Sequence, residues 1–184
     1  MYNRKCKAKI IYLSLALLLV ISTIGGFMSQ SFTAEAADTD IIEISSEDEL
    51  ISFANSCRND SYSFGRKVKL TSDISITKDG FEGIAYFNGT FDGGNHTIRN
   101  LNKEYIGSDY GFFRYLGEDA YVYNLSVSGT ITASGSQKNI GGIAGVNYGT
   151  ISNCAYVGKL SGGTAAGGIA GVNKAGARLI NCNS

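Results

Sequence analysis

His96 is the one histidine in the chain, so any imidazole chemistry must pass through it. A Ser-His-Asp nucleophile would have to recruit it. It lies in Asp92-Gly93-Gly94-Asn95-His96-Thr97, a turn leading into a strand, where a structural or solvent-facing role is the simpler reading. A zinc peptidase helix is not encoded, because no His-Glu-x-x-His occurs. Cys57, Cys154 and Cys182 lack the close C-x-x-C spacing of a zinc site. Sugar cleavage is the stronger rival, and it needs carboxylates and basic groups along one face. Its candidates are Asp73, Asp79, Glu82, Asp92 and Arg99. Asp73 reads as a strand end and Asp92 as the turn before Gly93; the others are scattered. From Gly141 onward there is no acidic residue, whereas a polysaccharide-cleaving groove should cross several structural repeats. The expectation is a chain with no catalytic residue, no metal and no cofactor.

The elements that position these residues repeat. Gly141-Gly142-Ile143-Ala144-Gly145-Val146-Asn147 recurs unchanged as Gly167-Gly168-Ile169-Ala170-Gly171-Val172-Asn173, beginning 26 residues later. Each copy runs on to an Asn-Cys pair, Asn153-Cys154 and Asn181-Cys182. Gly111-Phe112-Phe113, running to Asn124-Leu125, is a degenerate third copy. The differences in length are placed in turns, at 115–119 and 174–177. A period of this size with Gly every few residues and β-branched residues between excludes a two-helix repeat and points to a parallel β-solenoid of two or three strands per turn. Like residues then stack at about 4.8 Å. Ile143 should lie inside over Ile169, Val146 over Val172 and Ile151 over Ile180. Ala144 and Ala170 suit a narrow wall, and Gly145 and Gly171 a corner where a side chain would clash. Asn147 and Asn173 should form an asparagine ladder at another corner. These are structural repeat positions. Cys154 and Cys182 fall within disulfide reach, yet stacked side chains point the same way, which favours a reduced, buried pair.

Upstream, Asp38 to Ile44 looks extended. Ser46-Glu47-Asp48-Glu49 is a capping box, and Leu50, Ile51, Phe53 and Ala54 share one helical face. A helix over 46–56 would lie at the first coil, where a solenoid needs a cover. Lys67-Val68-Lys69-Leu70-Thr71, Ile74 to Ile76, Ile84 to Phe91 and Thr97 to Leu101 read as short strands. Asn59, Asn88, Asn95 and Asn124 each open an N-x-S/T triplet and are read as turn residues rather than glycosylation sites. Residues 1–36 read as a secretory signal peptide: Arg4, Lys5, Lys7 and Lys9, an apolar run from Ile10 to Ile24, then Ala34-Glu35-Ala36. The apolar run is short of the ~20 residues of a membrane span. The leader holds four of 16 basic and one of 16 acidic residues, so the remainder is slightly acidic. That gives no electrostatic reason to expect nucleic acid or an anionic membrane as partner. With 24 Gly and no Pro, the composition suits many tight turns.

The run from Phe87 to Leu101 (FNGTFDGGNHTIRNL) resembles the segment that precedes GLUG repeats, and the GGIAGVN…NC copies resemble the GLUG motif itself. The resemblance covers roughly 66–184. It implies a right-handed parallel β-helix in a secreted or cell-surface bacterial protein, as in adhesin-like proteins and the N-terminal regions of IgA-cleaving zinc metallopeptidases. The expected organisation is a leader (1–36), an N-terminal strand and capping helix (37–66) and an all-β solenoid (67–184) whose last repeat is incomplete. The expected function is a non-catalytic structural or adhesive surface module, with a glycan or a cell-surface protein as partner and end-to-end self-association as a further possibility. The alternative is the N-terminal fragment of a larger secreted zinc peptidase or polysaccharide-degrading enzyme.

Overall fold

A computed structural model describes residues 41–105, 109–134 and 139–184. The expected leader lies outside the described residues. The elements run β1 (Ile41–Ile44), α1 (Glu47–Ser56), β2 (Lys67–Leu70), β3 (Ile74–Ser75), β4 (Ile84–Phe87), β5 (Thr90–Asp92), β6 (Thr97–Arg99), β7 (Lys103–Tyr105), β8 (Phe113–Leu116), β9 (Tyr121–Tyr123), β10 (Ser126–Ala133), β11 (Asn139–Gly141), β12 (Ala144–Asn147), β13 (Thr150–Ser152), β14 (Ala155–Gly162), β15 (Ala165–Gly167), β16 (Ala170–Asn173) and β17 (Arg178–Ile180).

The strands pair in parallel into a solenoid of about 5 turns. One wall is the sheet β1-β2-β5-β9-β13-β17, a second is β14-β10-β6-β3 with β7 beside β10, and a third is β16-β12-β8-β4. A short pair, β11-β15, adds a fourth segment to the later turns, so these turns hold one strand more than the spacing suggests.

Alternation explains which side chains enter the lumen. Lys67-Val68-Lys69-Leu70 runs exposed, buried, exposed, buried, as a half-buried strand must. Register then stacks Ile42, Val68, Phe91, Val122, Ile151 and Leu179 in one inward column. Its middle members are fully buried, while Leu179 on the last rung is 43% exposed. Phe87, Phe91, Phe112 and Phe113 are buried together, and the Phe91–Phe113 and Phe112–Phe113 rings meet edge-on at 5.3 and 4.9 Å. Each such ring contributes about 1.5–3 kcal/mol by leaving water. In the later coils Ala144 replaces Phe113 in the same column.

Most of the predicted stacking is present. Ala144 pairs with Ala170, Val146 with Val172 and Asn147 with Asn173, and the Ile143 N–H donates to the Ile169 carbonyl at 3.1 Å. Three details are corrected. Ile151 lies over Leu179, while Ile180 pairs with Ser152. The turn at 174–177 lengthens the second copy, and counting back two residues from each Asn-Cys pair recovers the true partner. Gly145 and Gly171 lie inside β12 and β16, not at a corner. They are small because a Cβ would approach the neighbouring coil's backbone to 2.8 Å (Tyr110 N) and 2.6 Å (Ile140 N). The first copy's turn begins at Gly117, since Tyr115 and Leu116 still belong to β8.

Ser46 caps α1 with the full capping box: its hydroxyl accepts from the Glu49 N–H, and the Glu49 carboxylate accepts from the Ser46 N–H at 3.2 Å. Leu50, Phe53 and Ala54 are buried, and the Phe53 ring meets Phe87 at 6.2 Å. Glu47 in the first turn accepts from the N–H groups of Thr77 and Lys78 at 2.6 and 2.7 Å, tying the helix to the chain after β3.

Candidate functional site

Of the carboxylates and basic groups considered for sugar cleavage, Asp73, Glu82, Asp92 and Arg99 each make local bonds. Asp73 accepts from the Thr97 N–H at 2.9 Å and from Arg99 at 2.8 Å, and lies 3.3 Å from His96 Nδ1. The Thr97 bond first, then Arg99, lowers its pKa. This carboxylate bridges β3 to β6 across one rung. Asp92 accepts from the Gly94 N–H at 2.9 Å within its own turn, as the sequence suggests. Glu82 pairs with Lys103 at 2.5 Å, and Asp79 is exposed. Asp73, His96 and Arg99 come together; Asp92 and Glu82 make separate bonds elsewhere. Among the described residues no cluster of three or more His, Cys, Asp or Glu is placed to hold a metal.

The repeat positions also have defined work. Asn147 is fully buried. Its Nδ2 donates to Asn173 Oδ1 at 2.7 Å, and its Oδ1 accepts from the Gly149 N–H at 3.0 Å. The ladder has two rungs, because Leu116 fills the position in the preceding coil. Asn124, Asn153 and Asn181 occupy the left-handed region with φ of 55°, 51° and 52°, a conformation that Asn tolerates better than most residues. The next residue in each coil, Leu125, Cys154 or Cys182, follows that corner. Cys154 is buried and Cys182 half-buried, and both are free thiols. Burial pushes the Cys154 thiol up to about 12.

A groove of about 360 Å³ opens at the corner between the third and first walls, lined by Tyr86, Asn88, Gly117, Glu118, Asp119 and Tyr148. Three successive coils build it. Tyr86 is on β4; Glu118 and Asp119 are on the turn between β8 and β9; Tyr148 is on the turn between β12 and β13. Coil-to-coil bonds hold these turns in line: Gly117 N–H to Phe87 O at 2.8 Å and Tyr148 N–H to Leu116 O at 3.0 Å. Asn88, nearly buried, donates to Asp119 Oδ2 at 3.3 Å and accepts from the Asp119 N–H at 3.0 Å. A Cβ at Gly117 would crowd the Asn88 side-chain oxygen and lie 2.5 Å from the Tyr86 hydroxyl, so a larger residue here would displace the groove's own side chains. Phe64, 54% exposed, leans on Tyr86 with centroids 6.0 Å apart. Desolvation first, and then the charges of Asp60, Asp119 and Glu118, raise the Tyr86 pKa. Tyr148 is 41% exposed and carries the Lys174 ammonium 5.8 Å from its ring centroid. A second hollow, of about 480 Å³, lies by Tyr156, Leu160, Gly168 and Ser184, but no ionisable group other than the Tyr156 phenol lines it, and that hydroxyl bonds to Gly129 O at 2.9 Å.

The sequence reading missed this groove. Its signal was the tyrosine content, 11 Tyr against no Trp.

One relative is found among characterised sequences. The chain is 28% identical over 163 residues to halomucin of Haloquadratum walsbyi, an alignment that covers 82% of this chain and 2% of halomucin. The chain therefore spans a very small part of the relative it matches. No protein-family model matches, so the GLUG likeness remains a resemblance of motif. No solved structure matches. No described helix is long and apolar enough to cross a membrane.

Proposed function

We propose that this chain is a non-catalytic structural and adhesive module of an exported, cell-surface protein, and that the Tyr86–Tyr148 groove is its binding face for a sugar chain. The observation that carries the reading is the groove: the half-buried Tyr86 ring and the exposed Tyr148 ring at one corner, two coils apart, with the Glu118 and Asp119 carboxylates on the turn between them. Aromatic faces with a few polar groups are the usual make-up of a small-molecule site. The likeness to halomucin, a mucin by name, fits a structural role outside the cell. The motif resemblance to GLUG repeats points the same way. In this reading the coils wind right-handed, following the strong preference of parallel crossovers, and α1 covers the first coil's core.

The test is binding and turnover measured together. The full chain is titrated against a panel of neutral, amine-bearing and acidic oligosaccharides, and the mixtures are assayed for cleavage products. The expected result is saturable binding without products, weakened about tenfold or more by Tyr86→Ala with Tyr148→Ala, since each stacking ring contributes roughly 0.5–1.5 kcal/mol. Product formation that stops in Glu82→Gln or Asp92→Asn would establish an enzyme instead.

A further inference from the structure

Resting on that reading, we infer that the corner groove selects sugar units carrying a free amine, a cationic hexosamine chain, over neutral or acidic sugars. Its ring faces and its charge have one sign in common. Glu118 and Asp119 both line the groove, with no basic residue among the lining. Asp60 adds a third carboxylate close enough to act on the Tyr86 hydroxyl. The face of a tyrosine ring is itself negative and attracts a cation within about 6 Å of its centroid. Tyr148 already does so with Lys174 of the next coil. Tyr86 and Tyr148 stand two rungs apart, because β4 pairs with β8 and β8 with β12. At about 4.8 Å per rung the rings span two neighbouring sugar units, and the Glu118–Asp119 turn lies on the rung between them. An ammonium on either unit would meet a carboxylate from below and a ring from the side. A uronic acid beside Glu118 and Asp119 would meet like charge, whereas Lys174 over Tyr148 is a cation with which an amine has to compete.

A sugar chain suits the site better than a basic peptide. Peptides add to sheets through unpaired backbone groups, and the groove's backbone is already spent: Gly117 N–H on Phe87 O and Tyr148 N–H on Leu116 O between coils, and Gly149 N–H on the Asn147 side chain within its own turn. What the groove offers is ring faces and the exposed carboxylates of Glu118 and Asp119. Asp119 keeps its bonds to Asn88 in this arrangement, so its charge is positioned rather than free to swing.

The experiment uses calorimetry on the full chain with three probes: a glucosamine oligomer, its fully N-acetylated form and oligolysine. The expected result is at least about tenfold tighter binding of the free-amine oligomer than of the acetylated one, a preference that shrinks at high salt as screened charges must. Glu118→Gln should remove most of the preference, weakening the free-amine oligomer far more than the acetylated one. Glu118 is exposed on the turn between β8 and β9, and matched melting curves check that the variant folds. Lys174→Ala, which removes the neighbouring competing cation, should tighten the amine form further. Equal binding of amine and acetylated oligomers would overturn the amine preference while the sugar-binding function stands. Binding of neither overturns both. Oligolysine binding as tightly as the glucosamine oligomer, through the same Glu118, would overturn the sugar assignment in favour of a basic peptide.

Discussion

Asn147 and Asn153 use one side-chain type for different ends. Asn147 supplies an amide that bonds the coil beyond it and its own turn, whereas Asn153 supplies tolerance of a φ of 51°. Their substitutions should therefore part company. Asn147→Ala leaves buried polar groups unpaired and should cost about 1–3 kcal/mol; Asn173→Ala, at an exposed rung, should cost less. Asn153→Gly should be close to neutral, while Asn153→Ala should cost about 1–2 kcal/mol for placing a Cβ in the left-handed region. Urea midpoints for the four variants check the pattern, and equal effects of Asn153→Gly and Asn153→Ala would refute the backbone account. Both Asn columns were visible as repeats in the sequence. The ladder at Asn147 and Asn173 was legible there as well; the backbone role of Asn153 was not, because a one-dimensional period carries no φ.

At the scale of elements, α1 and the phenylalanine-rich coils behind it are the parts that local chemistry explains best. Ser46→Ala removes the cap and should cost about 1 kcal/mol. Phe91→Ala empties a site packed against Phe87, Phe112 and Phe113 and should cost about 3–5 kcal/mol. Acid should loosen the same end. Glu47, Glu49 and Asp73 are held below the usual carboxylate range, chiefly by the backbone N–H groups of Lys78, Ser45 and Thr97 respectively. A carboxylate lowered by folding stabilises fully above its unfolded pKa, and that contribution disappears as the pH falls through the folded value. All three are at the surface, so the effect is modest. Melting curves from neutral to acid pH should show a fall that Glu47→Gln, Glu49→Gln and Asp73→Asn together flatten; an unchanged slope in that triple variant would sink the assignment. The capping box was legible because its parts lie within four residues. Its docking through Glu47 was not, since Thr77 and Lys78 lie 30 and 31 residues away.

For the molecule as a whole, the stacked coils divide the thiols by access. Burial raises Cys57 and Cys154 to about 12, so at neutral pH both stay protonated and slow toward thiol reagents. Of these and Cys182, only the half-buried Cys182 should react quickly in the folded protein, and denaturation should expose the other two. Rapid native labelling of Cys154 would contradict the stacked register. The parallel solenoid was determined by the sequence, because a repeat of this length with glycine-broken, β-branched runs has few ways to bury its apolar residues other than coil upon coil. The resemblance to GLUG repeats added an expected setting, not a partner. What only the tertiary structure decided was which outward residues meet. Tyr86, Glu118, Asp119 and Tyr148 come from three different coils and follow no shared motif. They converge because register lines up corners that the sequence separates by about thirty residues at a time, and register depends on where each turn takes up its extra residues.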